Sequence, residues 1–222
     1  MIQIAAFALL LASTGIAAAQ AQPAPPAETA TPAPPAEIAV PPKPPEPPKP
    51  LGPLVVLNTG MGPVTIELDR VHAPGTTANF LKYVDQNRFD GIKFYRAYKV
   101  PYPTPIGLIQ AGVAGRSDKV LPPIAHEPTS KTGLSHIDGA ISMARGAPGT
   151  AAGDFFIIIG DLHSLDANDK DPGYAVFGKV VGGMENVVKI LGAPTSPTLG
   201  SGAMKGQMIE KPVPVATTRR VK

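Results

Sequence analysis

The residues able to carry chemistry in this chain are its histidines, hydroxyls, carboxylates and glycine-rich runs, and most of their groupings fail on spacing. The four histidines, His72, His126, His136 and His163, lack a ligand spacing such as His-Glu-x-x-His, so no metal site is expected. With no Cys in the chain, thiol nucleophiles, Cys-ligated zinc, iron–sulfur clusters and disulfides are excluded, and Cys says nothing of the redox compartment. The run from Gly146 to Gly153 is glycine-rich, but a phosphate loop must open a helix, and the Asp154-Phe155-Phe156-Ile157-Ile158-Ile159 that follows reads as a strand. Asp166-Ala167-Asn168-Asp169-Lys170-Asp171 imitates a calcium loop, yet Lys170 takes the fifth position and Phe177 the twelfth, where a bidentate Glu is required. That segment reads as a solvated turn. Ser164, His163 and Asp166 are the residue types of a triad, but base and nucleophile must face each other in space rather than sit side by side in a turn. Taken alone, Arg96 is a lone cation in an apolar-aromatic strand, and Phe156 is a core residue.

The elements that must position such residues are mostly strands. Leu54-Val55-Val56-Leu57-Asn58 and Val64-Thr65-Ile66-Glu67-Leu68 alternate with period 2 around a turn-rich Thr59–Pro63, which predicts a β-hairpin. Thr77, Phe80, Leu81 and Val84 recur at i, i+3, i+4 and i+7 after Pro74 and predict an amphipathic helix ending near Asn87. Further strands are expected over Ile92–Ala97, Leu108–Ala111, Ala140–Arg145, Phe155–Ile159 and Tyr174–Val181, then a helix over Glu185–Leu191 and a last strand around Ile209–Val215. Many short strands and two helices predict a mainly β fold, a closed antiparallel barrel capped by two α-helices, rather than a parallel α/β sheet.

Composition divides the 222 residues unevenly. Ile4–Ala19 is a weakly polar run too short for a membrane span, which needs about 20 residues, and it ends in small-x-small cleavage sites. Residues 1–21 are therefore expected to be a signal peptide cleaved after Ala21, leaving no stable membrane insertion and a periplasmic location. Fourteen of the 28 prolines fall between Pro23 and Pro53, so residues 22–53 cannot build a core and read as a polyproline II linker. The globular domain is expected over 54–217, with 218–222 as a frayed basic tail. A net charge of +3 is too small to argue nucleic-acid binding.

From Gly62 to about Ala216 the chain resembles the cyclophilin-type peptidyl-prolyl isomerases, especially the bacterial periplasmic kind. The segments that carry the likeness occur in family order: Val64–Leu68 with Ala73-Pro74-Gly75-Thr76-Thr77-Ala78-Asn79-Phe80, then Phe89-Asp90-Gly91-Ile92-Lys93-Phe94-Tyr95-Arg96. Leu108-Ile109-Gln110-Ala111-Gly112, Gly139–Arg145, Phe155-Phe156-Ile157, Leu165-Asp166 and Val176-Phe177-Gly178-Lys179-Val180 follow. The resemblance implies an eight-stranded closed barrel and rotation about X-Pro peptide bonds, whose partial double-bond character sets a barrier near 18–20 kcal/mol. Reaching about 100 turnovers per second requires lowering that barrier by about 4–6 kcal/mol.

By resemblance Arg96 donates to the prolyl nitrogen as it pyramidalises, and Gln110 orients Arg96 and the substrate. Phe156 and Leu108 floor the proline pocket, Met143 and Ala144 line its neighbouring edge, and Tyr95, Asp154, Tyr174 and Leu165 complete the groove. The implied substrates are proline-containing peptides and unfolded exported proteins, handled by a monomer without cofactor or metal. The chain departs from the pattern at several positions. Tyr95 stands where His is common, Gly107 replaces a pocket Phe and so removes a wall, Asp154 replaces a Gln, Ser164 a Trp and Tyr174 a His. Arg96 and Gln110 are separated by 13 residues, including Pro101, Pro103 and Pro105. These departures leave a second reading open, a proline-peptide binding module or chaperone with little isomerase activity.

Overall fold

The computed structural model describes residues 52–101, 105–113 and 115–221. The chain divides into two units, Met1–Glu46 and Pro47–Lys222, and every described residue belongs to the second. The expected signal peptide and all of the expected linker except Gly52 and Pro53 lie outside the described residues.

Alternating residues pair into nine strands: β1 Leu54–Thr59, β2 Gly62–Leu68, β3 Ile92–Val100, β4 Ile106–Gly112, β5 Ala140–Met143, β6 Asp154–Ile159, β7 Ala175–Gly182, β8 Thr195–Ser196 and β9 Met208–Arg220. Neighbours run β1-β2-β7-β5-β6-β4-β3-β9, and β9 returns to pair with β1. All pairings are antiparallel, so eight strands close a barrel and leave no unpaired edge within the ring. The two-residue β8 adds onto the start of β9.

Helix α1 (Pro74–Asp85) begins with Pro at its first turn and has no side-chain cap of its own. Glu127, far along the chain, supplies one: its carboxylate accepts the backbone N–H groups of Gly75 and Thr76 at 3.1 and 2.8 Å, where the helix dipole favours negative charge. The helix ends at Asp85, and two residues on lies Asn87, the one non-glycine residue with positive φ among those described (55°). A one-turn helix, α2 (Thr129–Thr132), which no periodicity announces, precedes β5, and α3 (Met184–Leu191) buries Val187, Ile190 and Leu191. Phe80 on α1 packs on Phe89, Phe155 and Phe177 with ring centroids 4.9, 5.3 and 5.2 Å away. Truncating one such buried ring costs about 3–5 kcal/mol.

Strands on one side of the barrel bury both faces. Ile109, Ala111, Ile141, Met143, Phe155, Ile157 and Phe177 point into the main core, while Leu108, Ala140, Phe156, Ile158 and Val176 form a second apolar cluster. Alternation along β6 therefore places these two sets on opposite faces, which explains a Phe155–Ile159 run with no polar residue in it.

The C-terminal end corrects an expectation. The residues taken as a frayed tail extend β9: Thr218, Arg219 and Arg220 pair with Leu57, Val56 and Val55. Arg219 forks onto Asp90 at 2.7 and 2.8 Å, and Arg220 binds Asp85, with Nε 2.7 Å from Oδ1. No helix among the described residues is long and apolar enough to cross a membrane.

Candidate active site

A β-bulge sets the geometry. Phe94 pairs with Ala111 and Arg96 with Gln110 on β4, so Tyr95 is an extra residue in β3. Phe94 and Ala97 point into the core, and the bulge lets both Tyr95 and Arg96 stand on the outer face, half-buried. They line a cavity of about 590 Å³ together with Leu108, Gln110, Ala144, Asp154, Phe156, Leu165 and Tyr174. The expected residues therefore converge, with one exception.

Met143 is the exception. It is 1% exposed and packs inside the barrel core, because Ala140 and Ser142 take the outer face of β5 and alternation sends Met143 inward. Ala144, just past the strand end, does reach the groove. Gly107 also differs from expectation. A Cβ there would sit 2.0 Å from the Tyr98 carbonyl oxygen and 3.2 Å from Leu191 of α3, so a side chain at 107 would be turned toward α3 and could not wall the pocket. The extra residues between Arg96 and Gln110 lengthen a β3–β4 hairpin, which Lys99 ties to the Ala193 carbonyl after α3 at 2.8 Å. Its tip, with Pro103, lies outside the described residues. Ala203, Met204 and Met208 line the groove instead.

The guanidinium is held in a hydrogen-bonded chain. Arg96 Nη1 donates to Gln110 Oε1 at 2.8 Å, and Gln110 Nε2 donates to the Tyr95 hydroxyl at 2.8 Å. Asp154 lines the same cavity, and its charge acts on the Tyr95 phenol. Arg96 Nε donates to Gln207 Oε1 at 2.8 Å. Burial, then the charge of Asp154, pushes the Tyr95 phenol well above its usual range, so it stays protonated and can donate to the carboxylate. Burial also lowers the pKa of Arg96, against the neighbouring tyrosines Tyr95, Tyr174 and Tyr98.

The apolar floor has its own support. Phe156 is 3% exposed, meets Tyr174 edge-on with ring centroids 5.3 Å apart and stacks on His136 at 5.9 Å with planes 11° from parallel. His136 is fully buried; Nδ1 lies 2.6 Å from Asp166 Oδ1 and Nε2 3.0 Å from Ser142 Oγ. This is a serine–histidine–aspartate chain assembled across space, but Ser142 is itself fully buried, so it holds the floor rather than offering a nucleophile. The adjacent Ser164 has no part in it. Arg145 lies over the Tyr174 ring, its guanidinium carbon 4.8 Å from the centroid, and its Nε donates to Gly173 O at 2.9 Å.

Sequence reasoning missed His136, Arg145, Met204, Gln207 and Met208 as parts of this site. Arg145 stood within a quoted segment, and the buried His-Asp pairing had no local signal. No group of three or more His, Asp or Glu among the described residues is arranged to hold a metal.

A donor fixed at the edge of an apolar pocket can favour a twisted amide. When the C–N bond of an X-Pro unit rotates, the prolyl nitrogen loses conjugation and gains a lone pair able to accept a hydrogen bond, which neither planar form offers. An N–H aimed there stabilises the transition state selectively.

Comparison with known proteins gives the family of the chain. Residues 54–217 match the family model described as cyclophilin type peptidyl-prolyl cis-trans isomerase. A peptidyl-prolyl cis-trans isomerase of Acinetobacter baylyi is 37% identical over 147 residues, 64% of this chain and 74% of that protein. Peptidyl-prolyl cis-trans isomerase A of Dickeya dadantii is 37% identical over 140 residues, 61% of this chain and 70% of that one. A crystal structure of a Cryptosporidium parvum cyclophilin type isomerase, solved in the presence of the dipeptide Ala-Pro, superposes with a TM-score of 0.61 at 20% identity, covering 76% of this chain and 99% of that one. The chain thus belongs to the cyclophilin-type peptidyl-prolyl cis-trans isomerases.

Proposed function

We propose that this isomerase acts in the periplasm on exported chains, catalysing rotation about their X-Pro bonds while they fold. The observation that carries the catalytic part is Arg96, gripped on Nε and Nη1 by two neutral amides, with Nη2 lacking a partner among the described residues and left for substrate. The compartment rests on the apolar segment Ile4–Ala19 with its small-residue cleavage sites. The substrate class is proline-containing peptide in an unfolded or extended state, because the groove is open and apolar at its floor. A monomer suffices for this reaction, since every residue lining the groove comes from one chain.

Two measurements test this. Residues 1–30 fused to a reporter active only after export should direct it to the periplasm, with a mature N-terminus at Gln22. A reporter retained in the cytoplasm contradicts the location. The refolding rate of a proline-limited exported protein should rise with catalytic amounts of this chain; an unchanged rate alongside turnover of small Ala-Pro peptides contradicts the proposed substrate class.

A further inference from the structure

Isomerisation here depends on a donor whose orientation matters, and one residue far along the chain sets that orientation. Gln207 precedes β9 and bonds to Arg96 through its side chain and to the next residue, Ala97, through its backbone. Its carbonyl accepts the N–H of Ala97, the residue after Arg96, at 2.9 Å. Its Oε1 accepts from Arg96 Nε at 2.8 Å. Its own Nε2 donates to the Ala203 carbonyl at 2.6 Å, which fixes the amide. The loop beneath it is braced from within: Gly206 N–H donates to Leu199 O at 2.9 Å and Gln207 N–H to Met204 O at 3.1 Å. At Gly200, φ is +91° and a Cβ would lie 2.3 Å from the Met204 carbonyl oxygen, so the turn demands glycine.

A guanidinium held by Gln110 alone can pivot about the single Nη1···Oε1 contact. A second bond on Nε fixes its plane. Both partners are neutral amides, so the full positive charge and the Nη2 donors remain for the prolyl nitrogen. A carboxylate in the place of Gln207 would hold the same plane while cancelling part of that charge. We propose that Gln207 is a positioning residue for isomerisation, locking the Arg96 guanidinium plane from the loop that also carries Met204 to the groove.

The test is kcat and KM on an Ala-Pro peptide for the full chain and for Gln207→Ala, Gln207→Met and Gln207→Glu, with Tm measured on each. Gln207→Met keeps the side-chain volume should the Ala variant fold poorly. Expected for Ala and Met is a fall in kcat of about five- to twentyfold, in line with the cost of a misplaced catalytic group, with KM within about twofold and Tm nearly unchanged. Gln207→Glu is expected to keep near-normal kcat while its carboxyl is protonated and to lose several-fold as it ionises, a pH profile absent from the unaltered protein. Unchanged kcat in both Ala and Met variants would overturn the proposal. So would parallel losses of kcat and Tm in all three variants with no pH dependence in Gln207→Glu, which marks a structural loop only.

Discussion

His136 lies flat against Phe156, ring centroids 5.9 Å apart and planes 11° from parallel, so the floor of the substrate groove rests on a titratable ring. Burial depresses the His136 pKa, and the attraction of Asp166 does not fully offset it. Folding therefore stabilises the neutral ring. A depressed histidine binds fewer protons folded than unfolded, so stability is complete above the unfolded value of about 6.5 and is lost as pH falls below it. Tm should drop between pH 7.5 and 5.5, and the drop should shrink in His136→Gln, which retains donor and acceptor groups without titrating. Equal drops in both proteins would contradict this account of the floor.

Tyr95 accepts from Gln110 and feels the charge of Asp154. Tyr95→Phe leaves the Gln110 Nε2 donor without its acceptor and frees the amide to rotate, so kcat should fall several-fold with little change in KM. Asp154→Gln keeps an acceptor for the phenol, and its rate should stay within about tenfold. A loss beyond about a hundredfold in Asp154→Gln would show that the carboxylate charge itself is essential.

Much of the fold was legible because it is local. Period 2 in Leu54–Asn58 and Val64–Leu68, and the i, i+3, i+4, i+7 spacing of Thr77, Phe80, Leu81 and Val84, locate β1, β2 and α1 within a few residues. Arg96, Gln110 and Phe156 were found through the order of family segments rather than through their own chemistry. Met143 is assigned to the groove by the resemblance, whereas the alternation of β5 turns it inward. The bulge at Tyr95 has no glycine to announce it. Gln207 meets Arg96 across 111 residues, a distance over which neither periodicity nor turn chemistry carries information.

The end of β9 is the clearest long-range case, since its charged residues looked like a tail until they met β1, Asp85 and Asp90. Deleting residues 218–222 removes that pairing and should lower Tm by at least about 5 °C, several lost backbone bonds being worth more than the few degrees that one kcal/mol gives at this size. An unchanged Tm would return these residues to the status of a frayed tail.

Arg96 supplies the donor that selects the twisted amide, so the initial rate of Ala-Pro peptide isomerisation must depend on it, measured for the unaltered chain, Arg96→Ala and Arg96→Lys. Because Arg96 is half-buried on the outer face and away from the main core, Tm should shift little in either variant. The rate should fall at least about tenfold in Arg96→Ala and recover only in part in Arg96→Lys, whose single ammonium cannot bind both amides and substrate in one plane; a full rate in Arg96→Ala would contradict the account.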